Sequence, residues 1–139
     1  MNLEAEVLLK IILAMFAGGL LGLEREIRDK AAGFRTLIFI CAGATLYTIF
    51  STELSGDYDP TRIAANIVVG VGFLGAGVIL REGGHVTGLT TASTIWLTAA
   101  LGMGLGAGKY TITGFALLIG LVVLWFFPKL ELAIDNVRQ

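Results

Sequence analysis

The fold class this sequence predicts is all-α, an integral membrane helical bundle of about five transmembrane helices, on three observations: composition, the spacing of charges and the density of small residues. Hydrophobic residues make up 55% of the 139, glycine adds 19 more positions, and only 15% are charged. Mean hydropathy is +0.82. Soluble surfaces draw on about 25% charged residues, so a water-facing shell cannot be built from this chain. The charges themselves are spaced at intervals that match the roughly 20 helical residues needed to cross a hydrocarbon core of about 30 Å. Glycines recur at helical spacing, as they do where membrane helices approach closely.

The first apolar segment runs from Val7 to Leu23. Lys10 lies near its outer end, where a long side chain reaches the headgroups. Glu4 and Glu6 stand where a signal peptide would have basic residues, so this segment is expected to be retained. Gly18 and Gly22 form a GxxxG pair on it. The second segment, Thr36 to Thr52, is uncharged between Arg35 and Glu53 and holds Cys41, the single cysteine, read as a small packing residue.

Ser55-Gly56-Asp57-Tyr58-Asp59-Pro60 is dense in turn formers and separates the second segment from the third, Ile63 to Leu80. Gly70, Gly72, Gly75, Ala76 and Gly77 make the third helix smooth on more than one side, which predicts a central place in the bundle. Gly70-Val71-Gly72-Phe73-Leu74-Gly75 also fits GxGxxG, but a dinucleotide site needs a strand before the motif and a helix N-terminus after it. Here it falls inside an uncharged run, so it reads as packing. Arg81-Glu82-Gly83-Gly84-His85 breaks the run.

The fourth segment, Val86 to Gly108, opens with Thr87-Gly88-Leu89-Thr90-Thr91-Ala92-Ser93-Thr94. Two readings suit this entry: a Thr or Ser N-cap, or a partly unwound segment lining a polar cavity. Asn66, Thr45, Thr48 and Ser51 offer further oxygens for a hydrated path. Gly102 and Gly106 form a second GxxxG pair. Tyr110 to Pro128 is the fifth segment, and residues 129–139, which begin like an amphipathic helix, read as a cytoplasmic tail or the truncated start of a soluble domain, giving a membrane domain over 1–128.

Lys and Arg in short loops set orientation. Arg25, Arg28, Lys30, Arg35, Arg81, Lys129 and Arg138 fall on one side, against Lys10, Arg62 and Lys109 on the other. This distribution predicts N-out and C-in.

Several function classes lose support. A net charge of -1 favours no nucleic acid, a single histidine offers no zinc set, and no serine sits in a nucleophile elbow. No enzyme activity, catalytic residue or cofactor is expected, beyond magnesium held loosely by one or two of Glu24, Glu26 and Glu82. The densest charge cluster is Glu24-Arg25-Glu26-Ile27-Arg28-Asp29-Lys30, followed by Gly33-Phe34-Arg35-Thr36. If the helix continues, Glu24 with Arg28 and Glu26 with Lys30 form exposed pairs worth a few tenths of a kcal/mol. Alternatively Glu24 and Arg25 turn inward at the membrane boundary and pair with Arg35 or Glu82, since charge at that depth persists when paired or functional.

Four stretches together resemble the membrane domain of the MgtC/SapB family: Gly18-Gly19-Leu20-Leu21-Gly22-Leu23-Glu24-Arg25-Glu26, Ala32-Gly33-Phe34-Arg35-Thr36, Gly70-Val71-Gly72-Phe73-Leu74-Gly75-Ala76-Gly77-Val78-Ile79 and Gly88-Leu89-Thr90-Thr91-Ala92-Ser93-Thr94-Ile95-Trp96. The resemblance implies a multi-pass bacterial inner-membrane protein, associated in some members with magnesium limitation, acid tolerance and virulence. It implies a regulator that acts on other membrane machinery, such as ATP synthase or transport ATPases. Its motif positions fall on Glu24, Arg25, Arg35 and Thr36, on the glycines from Gly70 to Gly77, and on Thr90, Thr91 and Trp96. Many members continue into a soluble domain, and this chain stops at Gln139.

Two functions follow as expectations. One is a regulator that binds partner membrane proteins through smooth glycine faces and a charged cytoplasmic rim. The other is a small channel or carrier for magnesium, protons or another cation, with a polar path near the cytoplasmic ends of helices one to four. Five slim helices leave little interior, so a homo-oligomer, with a dimer favoured, is expected in the bilayer.

Overall fold

A computed structural model describes residues 3–54, 59 and 61–138, with side chains at all of these except 63, 82, 129 and 131–138. Five helices account for most of it: α1 (Leu3–Ile27), α2 (Phe34–Leu54), α3 (Thr61–Gly77), α4 (Leu89–Gly106) and α5 (Tyr110–Arg138). Between α3 and α4 lies a small antiparallel hairpin, β1 (Leu80–Glu82) with β2 (His85–Thr87). By length and composition α1, α2 and the Tyr110–Pro128 part of α5 can each cross a membrane, while the apolar part of α3 is the shorter Ala64–Gly77. The chain is a membrane protein with a helical bundle fold. The turn read at Ser55–Pro60 lies, apart from Asp59, outside the described residues.

The hairpin corrects two boundaries. The third segment does not run helically to Leu80: the helix stops at Gly77 and tightens through Val78 N–H to Gly75 O (3.3 Å) and Ile79 N–H to Ala76 O (3.2 Å). Leu80 then pairs with Thr87, and the strands are joined by Gly83 and Gly84, at φ 54° and 87°. Two consecutive positive φ values make the tight primed turn whose twist suits a hairpin. The fourth helix starts at Leu89, behind Gly88 at φ 86°. A Cβ on Gly88 would lie 2.9 Å from the Val78 carbonyl carbon, so both space and backbone conformation call for glycine. The N-cap is therefore this glycine, without a side-chain cap, and not a Thr or Ser.

The centre of the bundle belongs to α4, which packs against α1, α2, α3 and α5, and not to the glycine-rich third helix. Small residues explain this choice of neighbours. A Cβ on Gly18 would lie 2.9 Å from Cys41 Cβ, one on Gly22 2.7 Å from Phe34 Cα, and one on Gly106 2.7 Å from the Thr45 carbonyl oxygen. Gly102 faces the Cys41 carbonyl and Ala44 just as closely. Both GxxxG pairs thus receive the same helix, α2, and meet at Cys41 on its buried face, Gly18 against the Cys41 side chain and Gly102 against its carbonyl. Gly70, Gly72 and Gly77 have nothing within 4 Å, and Gly75 meets only Ala92 at ordinary contact distance, so α3 keeps its glycines on an open surface.

Gly102 also lets a hydrogen bond cross the helix interface, for the Thr45 hydroxyl lies 2.8 Å from the Gly102 carbonyl oxygen. The core around it is built of small and aliphatic side chains: Ala14, Leu21, Leu37, Cys41, Ile95 and Leu101 are almost fully buried. Outward, Phe16, Val69, Phe73, Ile112 and Phe115 are among many exposed large apolar side chains. In water such a surface would aggregate; against acyl chains it is solvated.

Candidate functional site

Glu24 and Arg25 lie at the end of α1 and turn inward, only 1% and 3% exposed. Arg25 Nε donates to Glu24 Oε2 at 2.5 Å, and Arg28, one turn on, forms an ion pair with Glu24 Oε1 through its own Nε. One carboxylate therefore pairs with two guanidinium groups. The contact with Arg25 is a charge-assisted hydrogen bond, the stronger sort, while that with Arg28 is an ion pair without hydrogen-bond alignment, and Oε1 has no hydrogen-bond donor among the described residues. The helix ends just beyond. Asp29 adopts φ 55°, Asp29 N–H bonds Glu26 O (3.0 Å) and Lys30 N–H bonds Arg25 O (2.9 Å). This is a Schellman C-cap with Asp in the place glycine usually takes, and it turns the chain back toward α2. Glu26 completes the turn by accepting from Phe34 N–H (2.9 Å), across the first turn of α2.

Beside this cluster lies a cavity of about 420 Å³, bordered by Arg25, Arg28 and Lys30 on one side, Val86, Gly88, Leu89, Thr90 and Thr91 on another, and Pro128 of α5. Ala92 N–H, bonded to Gly88 O at 2.9 Å, is the first amide satisfied within α4. The amides before it have no intrahelical partner, as at any helix start. The cavity joins basic side chains to a positively polarised helix end.

The structure brings Glu24, Arg25, Thr90 and Thr91 into one region. Arg35 and Thr36 are exposed at the start of α2 and do not border the cavity. The partner of Glu24 is Arg28 together with Arg25, and not Arg35. The side chain of Glu82 lies outside the described residues; its backbone pairs with His85 in the hairpin. Asn66 is placed elsewhere, on an apolar groove of about 470 Å³ between α2 and α3, where its amide donates to Arg62 O (3.1 Å). Thr48, Ser93, Thr94 and Thr98 each donate to the carbonyl one turn back in their own helix. Among the described residues no three His, Cys, Asp or Glu side chains gather as a metal site needs.

Sequence reasoning missed Arg28, Lys30, Gly88 and Pro128 as parts of this region. Arg28 was legible as the i+4 partner of Glu24, but only the C-cap at Asp29 brings Lys30 round, and Pro128 enters through tertiary packing of α5.

Residues 11–133 match the MgtC family. YhiD of Escherichia coli K12, provisionally named as a magnesium transporter, is 43% identical over 96% of this chain. The proteins named MgtC in Brucella abortus and Salmonella typhimurium are 52% and 47% identical over 68% and 74% of this chain. The chain spans 66% of the length of YhiD and 40% and 44% of the two MgtC proteins. No solved structure matches it.

Proposed function

The chain belongs to the MgtC family, and from the closed packing of its helices we propose that it is a regulator in the bacterial inner membrane, acting by binding other membrane proteins in a response to low magnesium or acid. All five helices span the bilayer in this reading, N-terminus out and C-terminus in, the chain pairs as a dimer, and transport ATPases or ATP synthase are the kind of partner involved. The name of one relative, YhiD of Escherichia coli K12, supports the link to that ion.

The observation that carries the reading is the interface of α1, α2 and α4. Glycines bring the backbones together, and the interior hydroxyls are occupied by helix carbonyls. Backbones packed this closely leave a hydrated cation no room to pass between these three helices. The polar cavity is bordered by three basic side chains, and so repels a divalent cation. By contrast α3 carries open glycines at Gly70, Gly72 and Gly77, suited to close approach by a helix of another chain.

The second reading, a small ion carrier, rests on the name of YhiD. The deciding experiment is magnesium and proton flux into liposomes holding the purified full chain alone. No flux above empty vesicles is the expected result, and flux by the folded chain overturns the proposal. Gly70→Leu is expected to reduce co-purification of membrane partners without altering the fold, because a Cβ there meets nothing within 4 Å and the side chain extends toward an open groove.

A further inference from the structure

We propose that the cavity between the end of α1, β2 and the start of α4 binds a phosphate-bearing anion. The case begins with charge. Arg25, Arg28 and Lys30 border the cavity, and the carboxylate behind them, Glu24, is shared between the two arginines. The charged side chains that border the cavity itself are thus all basic, while Glu24, Glu26 and Asp29 of the same stretch do not line it. Arg25 is 3% exposed and cannot shed its proton, so its charge must be met where it lies. Its Nε is taken by Glu24, and its terminal nitrogens have no acceptor among the described residues. A planar guanidinium with free donors matches phosphate oxygens in pairs.

The start of α4 supplies the second half of the site. Gly88 provides no side-chain cap, so the amides of the first turn of α4 stay free beside the same cavity. Free amides at the positive end of a helix dipole receive phosphates readily. Gly88 is held in its left-handed conformation by the hairpin, which keeps the backbone bare at this point. Basic side chains on α1 and bare amides on α4 converge from two directions, as binding of a tetrahedral oxyanion requires. A volume of about 420 Å³ lies within the range of about 300–1,000 Å³ common for small-molecule pockets. Val86, Leu89 and Pro128 add an apolar wall for the ester part of the ligand.

The phosphate can belong to an anionic lipid headgroup or to a soluble compound, and the test separates these. The full chain is placed in phosphatidylcholine nanodiscs, and its melting temperature is followed with added inorganic phosphate at constant ionic strength. A second series exchanges part of the phosphatidylcholine for phosphatidylglycerol. Stabilisation in the first series identifies a soluble source and in the second a lipid source. In either case Arg28→Gln with Lys30→Gln is expected to weaken the effect at least about tenfold, the loss of one charge-assisted hydrogen bond or more. Arg62→Gln with Lys109→Gln, outside the cavity, is expected to leave it unchanged. The proposal is overturned if neither source stabilises the chain, or if both double variants respond alike. Melting without anion shows whether each variant folds, and Arg25→Lys, which keeps the charge but loses the fork, gives an independent reading from within the site.

Discussion

Glu24 holds Arg25 away from bulk water and also pairs with the half-buried Arg28, so it is the residue whose loss should be felt most. Removing one member of a buried ion cluster leaves uncompensated charge and costs about 3–5 kcal/mol. Glu24→Gln is therefore expected to lower the melting temperature in detergent sharply, and adding Arg28→Gln to it should restore part of the loss. Asp29 makes the opposite prediction. It sits at φ 55° on an exposed C-cap, where a non-glycine residue is strained, and Asp29→Gly should stabilise the chain by up to about 1 kcal/mol. At this scale the sequence was half legible. The i, i+4 spacing of Glu24 and Arg28 was plain, but the helix phase that excludes Arg35 was not. Leu37, Cys41, Ala44 and Thr48 share the buried face of α2, and Arg35 and Thr36 lie about 200° and 100° round from Leu37. Asn66 is displaced in the same manner, one residue out of phase with buried Ile67 and Val71.

Among the elements, α4 and α3 behave in opposite ways although both are rich in glycine. Gly102→Ala would drive a methyl group into the Cys41 backbone carbonyl, which cannot move aside without shifting α2. A loss of about 2 kcal/mol or more in unfolding stability is expected, in line with the cost of overpacking. Gly70→Ala meets open space and should be neutral or stabilising by up to about 1 kcal/mol, the gain in helix propensity. Composition could not tell these glycines apart, because a smooth helix face serves an internal neighbour and an external one equally. What decided the packing was complementarity: α2 offers Phe34, Leu37 and Cys41 to the GxxxG pair of α1 and Cys41, Ala44, the Thr45 carbonyl and Thr48 to that of α4. The start of α3 adds a pH effect. Asp59 accepts from Thr61 N–H (2.9 Å) and Thr61 Oγ1 (2.8 Å), and these bonds hold its carboxyl below its ordinary pKa. A lowered pKa in the folded state stabilises above the unfolded pKa and is lost as pH falls through the folded one. Amide exchange in the first turn of α3 should therefore be constant from neutral pH down through the ordinary carboxylate range and quicken, relative to the intrinsic rate, only below it. In Asp59→Ala the faster exchange should be present at every pH.

For the molecule as a whole, class and number of helices were legible because a hydrocarbon core imposes length and charge spacing on any chain that crosses it, whereas the hairpin was hidden in a sequence read only as a break. Orientation can be checked directly. Cys41 is fully buried, so a single introduced cysteine dominates labelling by an impermeant thiol reagent. Lys30→Cys is expected to react in inverted membrane vesicles, and Lys109→Cys in intact spheroplasts; the reverse pattern would invert the topology. The hairpin carries a consequence of its own for how the molecule sits. A two-stranded ribbon leaves the outer edge of each strand with unmatched amides and carbonyls, which hydrocarbon cannot solvate. On the proposed topology, in which α3 crosses the bilayer, Leu80 to Thr87 would therefore mark a waterline, with the acyl region ending where α3 ends, after only about 26 Å of helix. With α3 crossing the bilayer as proposed, the bilayer would have to thin on that flank and the ribbon would lie among the headgroups, a gauge of membrane depth.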